Sequence, residues 1–163
     1  MPIQRRRSKP KSSKGKVRNA TPLMVDGIQF KSKLEAYCYQ QLKSSGIPFR
    51  YEQDSFILVD AFSFYNDSWE LGRQKGIKLF KKANPTIRAI TYKPDFTNLE
   101  QNWIIECKGM ITDTFPIRWK LFKRYIVENN LNYDLYMPRN KKQIDETINL
   151  IKSKNESNKA RSK

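Results

Sequence analysis

Apolar residues recur along this chain with two spacings, one typical of helices and one typical of strands. Leu34, Cys38 and Leu42 lie four residues apart and follow Ser32, a residue type that often precedes a helix. This pattern predicts an amphipathic helix, and Ser45-Gly46 is the kind of pair that ends one.

The remaining elements follow from the same two spacings. Helical periodicity predicts two further amphipathic helices, over residues 116–128 and 141–152. Runs of aromatic and β-branched residues predict strands over 49–59, 87–96, 103–108 and 133–137, and a short strand or turn over 25–30. The resulting order, α-β-β-β-α-β-α, predicts an α/β fold in which a mixed β-sheet is flanked by helices.

Residues 60–87 fit none of these periodic segments. Gly, Asn, Asp and Pro residues punctuate them, with short apolar runs in between. We interpret them as a basic insertion that could include a short helix. The insertion interrupts a folded domain over 22–152, which lies between a disordered basic tail at 1–21 and a basic C-terminal tail at 153–163.

Charge is concentrated in the two tails. The chain has a net charge of +16, of which residues 1–19 contribute eight positive charges and no negative one. Basic tails bind polyanions by releasing counterions, without reading sequence. Two such tails on a basic domain favour a nucleic-acid partner, although a solubilising tail or a nuclear-localisation signal at Arg5-Arg6-Arg7 also fits.

Composition excludes several classes of active site. The chain has no histidine, so Ser-His and Cys-His catalysis are excluded. Two cysteines, Cys38 and Cys107, are too few for a disulfide framework or a cysteine zinc site, and they fit as small buried hydrophobic residues. No segment is long and apolar enough to be a transmembrane helix or a signal peptide. We therefore expect a soluble cytoplasmic protein with no membrane partner.

The candidate chemistry lies in Asp95, Glu106 and Lys108. Side chains alternate along a strand, so Glu106 and Lys108 share one face about 7 Å apart. Asp95 ends the partner strand of a predicted hairpin and can lie opposite Glu106. The two carboxylates and a neighbouring backbone carbonyl, at Cys107, supply the hard oxygen ligands that Mg²⁺ prefers. The ordinary alternative is a solvent-facing ion pair on a strand.

Glu35 is a second candidate with two competing interpretations. It could reach the site from the first helix and complete a metal position. It also lies three residues after Ser32, which is the spacing of a capping box. Glu52 is a weaker candidate because a charged residue at a strand edge explains it equally well.

A basic stretch follows the site on the helix predicted over 116–128. It contains Arg118, Lys120, Lys123 and Arg124, which together could form a ridge that contacts phosphates. The alternative is an ordinary solvated helix face. Trp119, in the same segment, is more typical of a core residue than of a base-stacking platform.

Four segments taken in order resemble the PD-(D/E)XK nuclease superfamily. They read FKSKLE at 30–35, FRYE at 49–52, TYKPDF at 91–96 and ECKG at 106–109. Within the superfamily the chain is similar to the endonuclease I group of phage Holliday-junction resolvases and to uncharacterised phage relatives. The resemblance covers roughly residues 25–126.

The resemblance implies a restriction-endonuclease-like core and a metal-dependent DNA endonuclease from a phage or mobile element. Asp95, Glu106 and Glu35 would be the acidic residues of a Mg²⁺ site, in which Mn²⁺ could substitute, and Lys108 the catalytic lysine. Arg50 stands where the resolvase group carries an acidic residue, which makes it a candidate DNA contact. Resolvases of this group act as intertwined dimers, and the sequence leaves open whether this chain dimerises.

The substrate stays open at the level of sequence. Branched DNA such as a Holliday junction is the leading expectation. A nuclease for flaps, ends or plain duplex is the first alternative, because the segment between Glu52 and Asp95 is much longer than in the resolvase group. A basic DNA-binding protein without catalytic activity is the second alternative.

Overall fold

The computed structural model describes residues 23–110 and 114–161, which form a mixed α/β structure with three helices and several small sheets. The helices are α1 (Lys33–Ser44), α2 (Phe115–Glu128) and α3 (Lys141–Arg161). The strands are β1 (Leu23–Val25), β2 (Ile28–Phe30), β3 (Arg50–Tyr51), β4 (Phe56–Val59), β5 (Phe62–Ser63), β6 (Trp69–Gln74), β7 (Ile77–Lys82), β8 (Thr86–Ile87), β9 (Ile90–Tyr92), β10 (Phe96–Asn98), β11 (Trp103–Ile105) and β12 (Asp134–Tyr136). The predicted tail at 1–21 lies outside the described residues.

A four-stranded mixed sheet with the order β12-β11-β10-β3 forms the centre of the fold. β11 pairs parallel with β12 and antiparallel with β10, which itself pairs antiparallel with β3. Trp103 and Ile105 pack into an apolar cluster with residues of α1 and α3, whereas Ile104 packs into a second cluster with α2. The alternation predicted for this strand is therefore confirmed, and helices cover both faces of the sheet.

The three predicted helices are confirmed, with one change of length. The helix predicted to end at residue 152 continues to Arg161, so most of the residues assigned to a C-terminal tail are helical. Ile144, Ile148 and Ile151 bury its apolar face against the first cluster. None of the helices in the described residues is long and apolar enough to span a membrane.

Two predicted strands are each divided in the structure. The strand predicted over 49–59 is interrupted at Glu52, whose φ of 46° lies in the left-handed region that strands do not use. The strand predicted over 87–96 is interrupted before Asp95, because Pro94 has no amide hydrogen to donate to a strand ladder. The chain thus leaves its pairing with β4 at Tyr92 and enters the central sheet at Phe96.

Residues 60–87 contain no helix, which contradicts the short helix considered for this insertion. They form β5 to β8, which pair as β5 with β8 and β6 with β7. Lys75 and Gly76 connect β6 to β7 with φ values of 47° and 82°, as a tight two-residue hairpin turn requires. The insertion is therefore a β-structure, and its turn glycine is the signal that sequence reasoning underweighted.

Candidate active site

A pocket opens where β10 begins and β11 ends. Twelve residues line it: Lys31, Glu35, Glu52, Thr91, Tyr92, Lys93, Asp95, Glu106, Cys107, Lys108, Phe115 and Arg118. The structure therefore brings together acidic and basic candidates from five separate segments of the chain: Glu35, Glu52, Asp95, Glu106 with Lys108, and Arg118.

Strand pairing places Asp95 and Glu106. Phe96 pairs with Ile105, so the preceding Asp95 comes opposite the following Glu106. Asp95 Oδ2 accepts a hydrogen bond of 2.7 Å from the backbone amide of Cys107. The amide of Glu106 donates to the carbonyl of Tyr136 at 2.9 Å, which continues the parallel pairing beyond β11. Both carboxylates are buried, with exposed fractions of 8% for Asp95 and 5% for Glu106.

Lys108 lies beside Glu106, as predicted from the strand alternation. Its ammonium nitrogen is 3.2 Å from Glu106 Oε1. The same nitrogen lies 4.2 Å from the ring centroid of Phe115, at the start of α2, in a cation–π arrangement. An aromatic face and a carboxylate therefore orient the lysine toward the pocket.

The pocket disfavours the charged forms of Asp95 and Glu106. Burial, followed by the neighbouring charges of Glu106 and Glu35, raises the pKa of Asp95 well above its ordinary value. Burial also raises the pKa of Glu106, although a hydrogen bond from Tyr92 and the charge of Lys108 act in the opposite direction. The charge of Lys108 thus only partly offsets the effect of burial on these carboxylates.

Glu35 contributes to the pocket and to the start of α1 at the same time. Its Oε1 accepts a hydrogen bond of 2.8 Å from the Ser32 hydroxyl, and its Oε2 accepts one of 3.1 Å from the Lys31 amide. Tyr51 also donates its hydroxyl to Oε2 at 2.8 Å. Glu35 therefore stabilises the start of α1 through the Lys31 amide and the Ser32 hydroxyl, instead of the Ser32 amide that a capping box uses, and it lines the same pocket as Asp95.

Ser32→Ala is expected to lower the free energy of unfolding by about 1 kcal/mol. The Ser32 hydroxyl accepts a hydrogen bond from the Glu35 amide and donates one to the Glu35 carboxylate, and the substitution removes both. Urea unfolding followed by circular dichroism measures the change. Ser44→Ala, at the exposed end of α1, is the matched control and should lose less. Equal losses in both variants would show that Ser32 is not a functional cap.

Cys107 contributes to the pocket through its backbone, whose amide donates to Asp95. Its side chain packs in the first apolar cluster, and a hydrogen bond with Cys38, followed by burial, raises the pKa of its thiol. Both cysteines are free and buried, as expected for small hydrophobic residues. A metal ligand at this position would be the carbonyl oxygen.

The donor set fits a magnesium-type ion held by few protein ligands. In the described ranges 23–110 and 114–161, no group of three or more His, Cys, Asp or Glu side chains could hold a metal ion together. Asp95 and Glu106 remain as two hard oxygen donors, and Mg²⁺ is commonly bound by one or two carboxylates, waters and substrate phosphate. The predicted role of Glu35 as a further ligand stays a prediction; its carboxylate oxygens accept hydrogen bonds within the protein, as those of Glu106 also do.

The predicted basic ridge is only partly directed at the pocket. Arg118 lines it, and Lys123 lies 5.7 Å from the ring centroid of Trp119. Arg124 pairs with Glu128 at 2.6 Å one turn later on α2, and Lys120 is exposed to solvent. Arg50 lines a different cavity and lies 3.4 Å from Asp54, so the structure places it apart from the acidic residues.

Sequence reasoning missed the residues that hold the acids in place. Tyr92 donates its hydroxyl to Glu106 Oε2 at 2.8 Å, and Lys31 pairs with Glu52 at the rim. Tyr92 had a usable signal, because it precedes Pro94-Asp95 and could have been placed beside the site by the hairpin. Lys31 and Phe115 had none, since only the folded chain brings α1 and α2 to the same pocket.

The site is therefore a buried pair of carboxylates, Asp95 and Glu106, with Lys108 ion-paired to Glu106, at the end of a strand in a mixed α/β fold. The chain belongs to a family described as a protein of unknown function, DUF1064, whose family model matches residues 15–142. No curated protein and no solved structure matches the chain.

Proposed function

We propose that this protein is a metal-dependent DNA endonuclease with a restriction-endonuclease-like core, and that Mg²⁺, or Mn²⁺ in its place, is its cofactor. One observation carries the proposal. Asp95 and Glu106 are buried together, opposite each other, and Lys108 is ion-paired with Glu106. Burying two carboxylates side by side is costly, and a site that receives a cation explains their presence.

Each residue has a role in hydrolysis of a phosphodiester bond. Asp95, Glu106 and the carbonyl of Cys107 would hold the ion, which supplies charge neutralisation at the phosphate and a water of lowered pKa. Water adds to phosphorus and the bond to the leaving oxygen breaks, which yields one phosphate monoester and one hydroxyl. Lys108 is placed to orient the water and to stabilise the charge that develops on the phosphate.

Three further residues shape the pocket for this reaction. Tyr92 holds one oxygen of Glu106, so that the other stays directed at Lys108. Phe115 covers the lysine and limits its contact with bulk water. Arg118, at the pocket rim, is placed to contact a phosphate of the bound strand.

Branched DNA, including the Holliday junction, is the substrate that we propose first, on the basis of the sequence resemblance. The segment between Glu52 and Asp95, which forms β4 to β9, is much longer than in the resolvase group. This difference favours the alternative, a nuclease for flaps, ends or linear duplex. Both alternatives use the same acidic pair.

A panel of DNA substrates separates these possibilities. Purified protein is incubated with a four-way junction, a flap, a nicked duplex and a matched linear duplex, with Mg²⁺, with Mn²⁺ or with EDTA. We expect strand cleavage with either metal and none with EDTA. Symmetric cuts in the junction alone would identify a resolvase, whereas equal cutting of linear duplex would identify a general duplex nuclease.

Failure on every substrate with both metals would contradict the endonuclease proposal. In that case the remaining candidate is a non-catalytic DNA-binding protein. A separate measurement supports or opposes the metal site itself: Mn²⁺ should raise the melting temperature of the wild-type protein, because a ligand that binds only the folded state stabilises it.

A further inference from the structure

Residues 56–92 form an antiparallel β-ribbon that starts at the pocket and turns back at Lys75-Gly76. β4 pairs with β9, β5 with β8 and β6 with β7, in nested order. Backbone hydrogen bonds from Phe64 to Pro85 and from Ala83 to Ser68 continue the pairing between these strands. The base of the ribbon is anchored by Tyr92, which bonds Glu106, and by Phe56, which packs on α2.

The outer hairpin of this ribbon, β6 and β7, has two unequal faces. Strand register places three apolar and three basic side chains on one face, which we call the aromatic-basic face: Trp69, Leu71, Arg73, Lys78, Phe80 and Lys82. Its apolar side chains are largely exposed, with fractions of 55% for Trp69, 70% for Leu71 and 69% for Phe80. Trp69 and Phe80 lie 6.0 Å apart between ring centroids and 31° from parallel, so they form a broad platform.

The opposite face of the hairpin is organised differently. Lys81 extends across Gly72, where an added Cβ would come within 2.6 Å of the lysine Cε. Its ammonium donates to the carbonyl of Arg73 at 3.3 Å, so the lysine is directed along the ribbon. Leu79 is half-buried on this face. Gly72 therefore lets a long side chain cover one face, while the aromatic-basic face remains open.

An open face of this composition needs a partner, and its charge indicates which kind. Large exposed apolar patches on a soluble protein usually mark binding sites. The hairpin, residues 69–82, contains five basic residues and one acidic one, Glu70, which lies on the opposite face. Lys82 pairs with Asp67, so the positive charge of the aromatic-basic face comes chiefly from Arg73 and Lys78. Pairing this hairpin with the same hairpin of a second copy would bring like charges together, whereas a polyanion would neutralise them.

The shape of the ribbon favours duplex DNA over duplex RNA as the polyanion. The major groove of B-form DNA, about 12 Å wide, admits a two-stranded β-ribbon, whereas the major groove of A-form RNA is too deep and narrow for side chains to read. We propose that the aromatic-basic face of the β6–β7 hairpin binds duplex DNA, with its basic side chains on phosphates and its apolar side chains against the bases. This deepens the proposed nuclease function, on which it rests, by assigning a second DNA-binding surface to the chain.

The position of the face sets its distance from the acidic pocket. An extended ribbon rises about 3.3 Å per residue, so Trp69 lies within about 43 Å of the base of the ribbon at Phe56. One turn of B-form DNA is about 34 to 36 Å long. Duplex bound by the hairpin would thus be held within little more than one helical turn of the base of the ribbon, where the pocket opens.

The test measures binding of a 30-bp duplex by fluorescence anisotropy in EDTA, so that cleavage cannot contribute. Trp69→Ser/Phe80→Ser should weaken binding about tenfold. Arg73→Gln/Lys78→Gln should weaken it similarly and reduce the slope of log Kd against log salt by about 0.9 for each phosphate that the variant no longer neutralises. The matched controls are Ile77→Ser, an exposed apolar residue of the opposite face, and Lys142→Gln/Lys152→Gln, which removes two exposed charges on α3.

The outcomes are distinct from those of the nuclease proposal. Weaker binding by both hairpin variants, with control variants and melting temperatures unchanged, supports the face whether or not the protein cleaves DNA. Unchanged affinity and salt slope would overturn it, even if metal-dependent cleavage is observed. Equal affinity for duplex RNA would overturn it as well, and so would a wild-type dimer that Trp69→Ser/Phe80→Ser converts to a monomer in light scattering.

Discussion

Lys108→Ala and Asp95→Ala are each expected to reduce metal-dependent DNA cleavage about a thousandfold while leaving DNA binding nearly unchanged. Lys108 is the only lysine that forms an ion pair with the buried acidic pair in the described part of the chain, so its loss removes the positive charge that we propose stabilises the transition state. Loss of Asp95 removes half of the carboxylate donor set. The rate is measured under single-turnover conditions with Mg²⁺.

Two control variants separate chemistry from charge. Lys142→Ala removes an exposed lysine of α3, and Asp60→Ala removes an exposed acid, so both should cleave at the wild-type rate. Binding of the two site variants, measured in EDTA, should change far less than their cleavage rate. Undiminished cleavage by either Lys108→Ala or Asp95→Ala would contradict the assignment of the site.

Asp95→Asn is expected to make the metal-free protein more stable at neutral pH, with a melting temperature several degrees higher. The substitution removes a charge that is buried beside Glu106, while the asparagine oxygen can still accept the Cys107 amide. Stability sacrificed in this way is common at functional sites. Mn²⁺ should then raise the melting temperature of the wild type but not of this variant.

The pH dependence of this effect has a definite sign. Folding raises the pKa of Asp95, so the folded protein holds the carboxyl proton more strongly than the unfolded chain. The contribution of Asp95 is therefore most favourable below the unfolded pKa of about 4, and it is lost as the pH rises through the raised folded pKa. The advantage of Asp95→Asn should be small in acid and grow toward neutral pH.

Differential scanning calorimetry across this pH range measures the difference between the two proteins. Asp60→Asn, an exposed acid, is the matched control and should follow the wild type throughout. A variant that is less stable than wild type at every pH would show that Asp95 is a structural carboxylate that the fold requires in its charged form.

Local patterns were sufficient for the helices and for the acidic pair. The periodicity of Leu34, Cys38 and Leu42 predicts α1, because an amphipathic helix buries one stripe of residues. Alternation along β11 correctly separates Ile105 from Glu106, because adjacent side chains of a strand face opposite sides of a sheet. Both signals depend only on neighbours in sequence.

Local patterns did not predict the divided strands or the β-ribbon. Pro94 marks the place where the strand is divided, but no local pattern shows which strands pair on either side of it, β4 before and β11 after. The hairpin of β6 and β7 lacks the regular apolar alternation of a half-buried strand, because neither face packs as a core. Its strand character comes from cross-strand pairing and from the turn at Lys75-Gly76.

The sequence by itself determined the mixed α/β class, the three helices and the proximity of Asp95, Glu106 and Lys108, because each rests on periodicity or on a single hairpin. Only the tertiary structure decided that Glu35 joins them, that Arg50 does not, and that Tyr92 and Phe115 hold the pocket. Those placements depend on how α1, α2 and the ribbon pack against the central sheet. Packing of distant segments is set by the whole chain, so no local pattern encodes it.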